Sequence, residues 1–217
     1  MSNVVVFCDF DGTITKKDNI VSIMKQFALP GWEEITDQIL SQKIPIQQGV
    51  RELFSLVPSA LKEEIIKFVL QDAEIREGFS DFVKFTREQN IPLYIVSGGI
   101  DFFVHPVLDP YGPFDHIYCN EATFDEERIA IHYPHACDEL CTSQGCGCCK
   151  PSIMRKLSDE QQTRIVIGDS VTDFEAAKLA DVVIARDFLA ETCEKLDIPF
   201  TRFETFTDCI HIVKAQL

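Results

Sequence analysis

The stretch VVVFCDFDGTIT, residues 4–15, runs a block of β-branched and aromatic side chains straight into two carboxylates, Asp9 and Asp11, on either side of Phe10. The continuous apolar block over residues 4–8 reads as a strand covered on both faces. In extended chain, residues i and i+2 share a face while i+1 takes the other. Asp9 and Asp11 can therefore converge on one site while Phe10 packs into the core. Asp11-Gly12 is also ordinary turn chemistry, so the meaning of the pair depends on what the other strands lead into.

Further strand-like runs occupy residues 92–96, 117–119, 164–167 and 182–185, separated mostly by helical patterns over 77–89, 152–157 and 173–179. Strands alternating with helices predict an α/β fold, a doubly wound parallel sheet with helices on both faces. In such sheets ligands bind at the carboxyl ends of the strands, where Asp9 and Asp11 sit. Residues 18–72 break the rhythm with four helical patterns and no good strand. Val50, Leu53, Phe54 and Val57 follow helical spacing, Leu61, Ile65, Phe68 and Val69 nearly repeat it, and Pro30-Gly31, Pro45 and Pro58 punctuate the segment. This predicts a helical cap, residues 17–77, inserted after the first strand of a core formed by residues 1–16 and 78–217. Residues 122–133, around Asp125-Glu126-Glu127-Arg128, read as a β-hairpin.

Three stretches recast the first one. YIVSGG, residues 94–99, ends a strand in Ser97 and Gly98, a hydroxyl and an amide able to donate to a phosphate oxygen. CCKP, residues 148–151, places Lys150 just before Pro151, a residue suited to a first helical turn. IVIGDSVTDFEAA, residues 165–177, ends a strand in two more acids, Asp169 and Asp173. Singly, these are a turn, a surface lysine and a helix start, the last with Thr172 and Glu175 at capping-box spacing. Together, acids, hydroxyl, lysine and acids follow strand patterns in one chain order.

That order resembles the haloacid dehalogenase superfamily of phosphotransferases across nearly the whole chain. Asp9-x-Asp11-Gly12-Thr13 looks like its first motif, Ser97 its second, Lys150 its third, and Gly168-Asp169 with Asp173 its fourth. The resemblance implies a phosphoric monoester hydrolase in which Asp9 takes the phosphoryl group, Asp11 serves as acid and base, and Lys150 offsets negative charge. Ser97 and Gly98 would orient the phosphoryl oxygens. The implied cofactor is Mg²⁺, bound by Asp9 and Asp169 through side chains and by Asp11 through its carbonyl, with Asp173 holding a metal-bound water. Crowded acids facing a phosphate dianion need such a hard cation.

Motifs and cap together resemble the phosphoserine phosphatase-like branch, whose substrates are small phosphorylated metabolites. There a cap acid and a cap arginine hold an amino acid's charged groups. Asp18 and Arg51 fall at comparable places, although the acid is Asp rather than Glu. Phe27, Trp32, Phe54, Phe102 and Phe103 are candidates for an apolar pocket, although aromatics at helical spacing more often belong to core.

Across 217 residues the formal charge is −15, which argues against a nucleic-acid partner. The first apolar run has no basic stretch before it and meets Asp9 too early for a signal peptide. No run approaches the about 18 apolar residues of a membrane span. With nine cysteines, an odd count, these features lead us to expect a cytoplasmic protein with thiols free or metal-bound. HYPHACDELCTSQGCGCCK, residues 132–150, gathers His132, His135, Cys137, Cys141, Cys146, Cys148 and Cys149. Cys137-x3-Cys141 has the spacing of zinc ligands, while Cys146-Gly147-Cys148-Cys149 looks tighter than the usual two-residue gap. A structural zinc site and a loop of reduced thiols both fit this cluster. A signalling receiver module also uses acids, a hydroxyl and a lysine at strand ends, but it lacks a cap. A zinc-dependent interaction module would explain none of the acids.

Overall fold

The computed structural model describes residues 3–159 and 161–217. Seven strands form one sheet: β1 (Val4–Cys8), β2 (Leu93–Ile100), β3 (His116–Thr123), β4 (Ala130–His132), β5 (Thr163–Gly168), β6 (Val182–Ala185) and β7 (Thr201–Arg202). Their order is β4-β3-β2-β1-β5-β6-β7, and every neighbouring pair is parallel except β3 and β4. The first strand therefore lies in the middle. The alternation of its side chains explains the two layers. Val4, Val6 and Cys8 join one core cluster, while Val5 and Phe7 join a second with Ile153 and Met154. On the first face, Phe206 is wholly buried, with its ring 5.0 Å from Phe79 and 5.3 Å from Phe82.

Helices α1 (Asn19–Phe27), α2 (Trp32–Leu40), α3 (Ile46–Ser55) and α4 (Lys62–Asp72) follow β1, in the segment read as a cap. Ile23, Met24, Val50, Leu53, Phe54 and Ile65 bury the cap's apolar side and run into the main core cluster. The chain leaves and returns at one place. Thr15 bridges Ile75, the Lys16 amide donates to Glu74 O (2.9 Å), and the Arg76 amide donates to Ile14 O (2.8 Å). Opposite, the β3–β4 hairpin reaches the cap: Pro58 bridges Arg128, and the Ser59 amide donates to Glu127 O (2.9 Å).

The core helices are α5 (Phe79–Glu88), α6 (Asp101–Leu108), α7 (Lys150–Leu157), α8 (Phe174–Ala177), α9 (Asp187–Lys195) and α10 (Phe206–Lys214). Three of these, α6, α9 and α10, lie outside the helical patterns read from the sequence, as does the two-residue strand β7. The hairpin falls where expected. The capping box does not. Ser170 caps the turn over Val171–Asp173 with Asp173 reaching back, in place of Thr172 with Glu175. Glu175 instead pairs with Lys178 at 2.6 Å. Among the described residues no helix is long and apolar enough to cross a membrane.

Candidate active site

Because β1 lies between parallel β2 and β5, the carboxyl ends of these three strands open side by side. Asp9 leaves β1 with its amide donating to Ile167 O on β5 (2.9 Å), and its side chain is 5% exposed. Phe10 turns the other way and is fully buried, as the alternation requires. The Asp11 carboxylate is fixed by one residue: Asn19 donates to Oδ1 from its amide (3.0 Å) and from Nδ2 (2.7 Å). Gly12 adopts a left-handed φ of +81°, and a Cβ there would run into the Asp169 carboxylate. Arg76, largely buried, clamps this turn by donating from Nη2 to Gly12 O (2.6 Å) and from Nε to Thr13 O (2.8 Å). The Thr13 hydroxyl in turn donates to Asp169 Oδ1 at 2.7 Å.

Lys150 begins α7 and points inward. Its Nζ donates to Asp9 Oδ1 (2.6 Å) and to Asp173 Oδ1 (2.5 Å), with the ammonium side chain 6% exposed. Asp173 Oδ2 accepts from the amides of Asp169 (3.2 Å) and Ser170 (3.0 Å), so the cap of the turn and the site share one carboxylate. Burial opposes the charge on Lys150, yet Asp173 and Asp9 more than offset it and hold its pKa above the ordinary value. Burial, then the neighbouring Asp173, pushes Asp9 up to about 7. Burial, then Asp9 and Asp173, pushes Asp169 up to about 8. Burial first and Asp18 second raise Asp11 well above the carboxylate range.

On the β2 side, Ser97 is fully buried and its hydroxyl accepts from the Gly99 amide at 2.9 Å. Gly98 borders open space. Asn120 donates from Nδ2 to Gly98 O at 2.8 Å. Gly99 fits because a Cβ there would lie 2.9 Å from Asp11 Oδ2 and 3.0 Å from Ser97 Oγ. The structure thus brings Asp9, Lys150, Asp169 and Asp173 together and sets Asp11 and Ser97 on either side of Gly99. It adds Asn19, Arg76 and Asn120, whose partners are remote in sequence or lie in irregular chain and carry no local signature.

One oxygen each from Asp9, Asp169 and Asp173 lies within 4.8 Å of the others, a donor set of hard oxygens suited to a divalent cation such as Mg²⁺. The side chain of Asp11 faces Asn19 and is not in that group. A cleft of about 440 Å³ reaches Lys150, with Ile39, Ile44, Pro45 and Ile46 from the cap and Phe174 from the core on its walls. The aromatic candidates are elsewhere: Phe54, Phe102 and Phe103 are buried core, and Phe27 and Trp32 pack against it. Asp18 caps α1 by accepting from the Val21 amide (2.9 Å), and the Arg51 guanidinium lies 5.6 Å from the Tyr133 ring centre.

The model of the haloacid dehalogenase-like hydrolase family matches residues 6–178, and the chain belongs to that family. A protein of Geobacillus thermodenitrificans (strain NG80-2) named 2-hydroxy-3-keto-5-methylthiopentenyl-1-phosphate phosphatase is 56% identical over 215 residues, covering 99% of this chain and 97% of its own. A protein of the same name from Bacillus velezensis is 56% identical over 213 residues, covering 98% of this chain and 89% of its own. A solved substrate-bound phosphoserine phosphatase complex superposes with a TM-score of 0.73 over 98% of this chain and 99% of its own. At 18% identity that match shows a common fold.

The raised carboxylates predict how metal-free protein responds to pH. A group whose folded pKa lies above its unfolded value favours the native state at low pH and loses that contribution as pH rises through the folded value. With Asp9 at about 7 and Asp169 at about 8, thermal stability should fall between about pH 4 and pH 8. Added Mg²⁺ should restore several degrees of melting temperature at pH 8 and much less at pH 5, where protons occupy the carboxylates. Melting curves over this range with and without Mg²⁺ are the check. No gain at pH 8 would show that the cluster does not hold the ion.

Proposed function

We propose that this chain is a Mg²⁺-dependent phosphatase working through an aspartyl-phosphate on Asp9. We further propose that its substrate is 2-hydroxy-3-keto-5-methylthiopentenyl-1-phosphate, converted to 1,2-dihydroxy-3-keto-5-methylthiopentene in methionine salvage. The observation that carries the chemistry is the Asp9 carboxylate at the end of the central strand, buried and held on one oxygen by Lys150. The substrate rests on relatives 52–56% identical over nearly the full chain, all bearing that phosphatase name.

In this reading Asp9 Oδ2 attacks phosphorus and the bond to the metabolite oxygen breaks. Asp11 gives its proton to the leaving oxygen, a role its raised pKa suits. Asp11 then accepts a proton from water, which attacks the aspartyl-phosphate, frees inorganic phosphate and restores Asp9. Lys150 keeps the attacking carboxylate oriented, and Ser97 with Gly98 would align the phosphoryl oxygens. Asp9, Asp169 and Asp173, with the carbonyl of Asp11, would hold Mg²⁺, which when bound would supply the positive charge that lets a phosphate dianion approach these acids.

The cap separates two substrate readings. One is a zwitterion such as phosphoserine, the substrate class that the name of the structurally similar protein carries. Here Asp18 is engaged as a helix cap, Arg51 lies over Tyr133, and the cleft beside Lys150 sets Ile39, Ile44 and Ile46 next to Lys43 and Glu175. Those features favour an apolar methylthio tail.

Three measurements test the reading. Asp9→Asn should cut turnover on the order of a thousandfold or more while the melting curve stays cooperative; near-normal activity in a folded variant would exclude the covalent route. At matched Mg²⁺, kcat/KM for the enol phosphate should exceed that for phosphoserine by about 100-fold, since Asp18 and Arg51, the charged pair that would hold an amino acid's groups, are engaged within the protein. The reverse preference would remove the salvage substrate and leave the chemistry standing. Asn19→Ala removes one donor that lowers the Asp11 pKa, so the alkaline limb of kcat/KM should move to higher pH with a roughly tenfold lower maximum. An unmoved limb would take the acid role from Asp11.

A further inference from the structure

The loop over residues 133–149, between β4 and α7, contains neither helix nor strand. Loops longer than about 12–15 residues without secondary structure are uncommon in compact domains and need something to hold them. This one has few apolar anchors, Tyr133 against the main core cluster and Cys148 in the second. Apart from Gly147, its buried residues are all cysteines (Cys141, Cys148 and Cys149), and Leu140 is 71% exposed.

Four of its five thiols converge. The sulfurs of Cys137, Cys141, Cys146 and Cys149 all lie within 4.8 Å of one another. Cys141 Sγ and Cys146 Sγ are 3.7 Å apart, too far for a disulfide, and all nine cysteines are free. Sulfurs at the corners of a tetrahedron, each about 2.3 Å from a central zinc, would be about 3.8 Å apart. Selection within the cluster is specific. Cys148 turns away toward Tyr118 O at 3.7 Å, so the pair in use is Cys146-x2-Cys149, the common zinc spacing that the run of cysteines hides. Gly145 and Gly147, at φ +64° and +79°, supply the left-handed backbone for that tight turn. The histidines are occupied elsewhere, His132 with the Thr123 hydroxyl at 2.9 Å and His135 edge-on to Tyr118.

The geometry points to a structural zinc ion held by Cys137, Cys141, Cys146 and Cys149, separate from the carboxylate cluster. The thiols would release their protons to solvent as the Zn–S bonds form, with no redox step. Its consequence is positional. Cys149 is bonded to Lys150, and the Gly145 carbonyl accepts from the Gln47 amide of α3 at 2.9 Å. A zinc-closed loop thus fixes the backbone of the catalytic lysine and a docking point for the cap. Arg155 on α7 ties the same loop through Asp138 at 2.8 and 2.5 Å.

The test is elemental analysis of the untagged full chain purified without added zinc. About one zinc per chain should be found, should survive dialysis against a chelator that strips Mg²⁺, and should be released by a mercurial reagent. Cobalt replacing it should show the strong visible bands of a tetrahedral thiolate site. Cys141→Ser and Cys146→Ser should lose the metal, while Cys148→Ser, equally close in sequence, should keep it. If the ligand variants do not fold, the wild-type metal count and Cys148→Ser still decide. Wild-type protein with less than about a tenth of a zinc per chain, an iron chromophore in its place, a disulfide within the quartet, or zinc lost from Cys148→Ser would each overturn the assignment.

Discussion

An ammonium group shut inside a protein costs several kcal/mol unless anions meet it at hydrogen-bond distance. Lys150 is met twice, by Asp9 and Asp173, and neither contact is local in sequence. Each of the three residues leaves a different part of the fold: the end of β1, the turn after β5 and the start of α7. The triad therefore forms only once the sheet has brought those ends together. It also leaves a surplus, because Asp169 adds a third carboxylate beside a single lysine. Burial, with the neighbouring carboxylates, pushes Asp9 up to about 7 and Asp169 up to about 8, so protons cover that surplus when no cation does. A site that binds a metal, and through it a phosphate, is the same arrangement with protons exchanged for a stronger positive charge.

The sheet order makes this possible. With β1 between β2 and β5, the two motifs that must face Asp9 arrive on neighbouring strands, and parallel pairing brings their ends to one edge. Close approach there is set by missing side chains. At Gly12 a Cβ would strike the Asp169 carboxylate, and at Gly99 it would wedge between Asp11 and Ser97. Arg76 then locks the turn from below through two carbonyls, and Thr13 links it to Asp169.

Much of this was legible in the sequence because period-two alternation and strand-end acids are local signals. Asp9, Phe10 and Asp11 separate as the alternation requires, and the cap's helices are audible in their 3.6-residue spacing. What escaped was set by competition or by distance. Ser170 outcompetes Thr172 as the cap because Asp173 is also drawn to Lys150, a contact 23 residues away in sequence. Asn19 and Arg76 bind across folded chain and have no motif. The aromatic candidates went to core rather than cleft, since helical spacing alone does not tell a wall from an interior. The cysteine ligands were hidden by Cys148, an extra thiol in the run whose direction only the folded loop reveals.

The cap is held on two sides by different means, and this bears on how a substrate reaches Asp9. At the hinge, the paired segments around Thr15 and Ile75 are continuous with the core and make backbone bonds. On the opposite side the hydrogen bonds are Gln47 to Gly145, Tyr133 to the Gln47 carbonyl at 2.7 Å, Ser59 to Glu127, and Ile129 to Val57 at 3.1 Å, laid over apolar contacts such as Phe54 against Phe102 that join the main core cluster. Each such bond is worth about 0.5–1.5 kcal/mol net, because water replaces it on opening. Swinging the helical segment about this place would cost those bonds and expose buried side chains such as Phe54 and Val57, set against the apolar contacts a tail would make with Ile39, Ile44 and Ile46. Those contacts exist only with the cap down over the tail. Binding energy from a part of the substrate far from phosphorus can thus be used to close the site and exclude water around Asp9, where the same exclusion strengthens every charge interaction at the reacting centre.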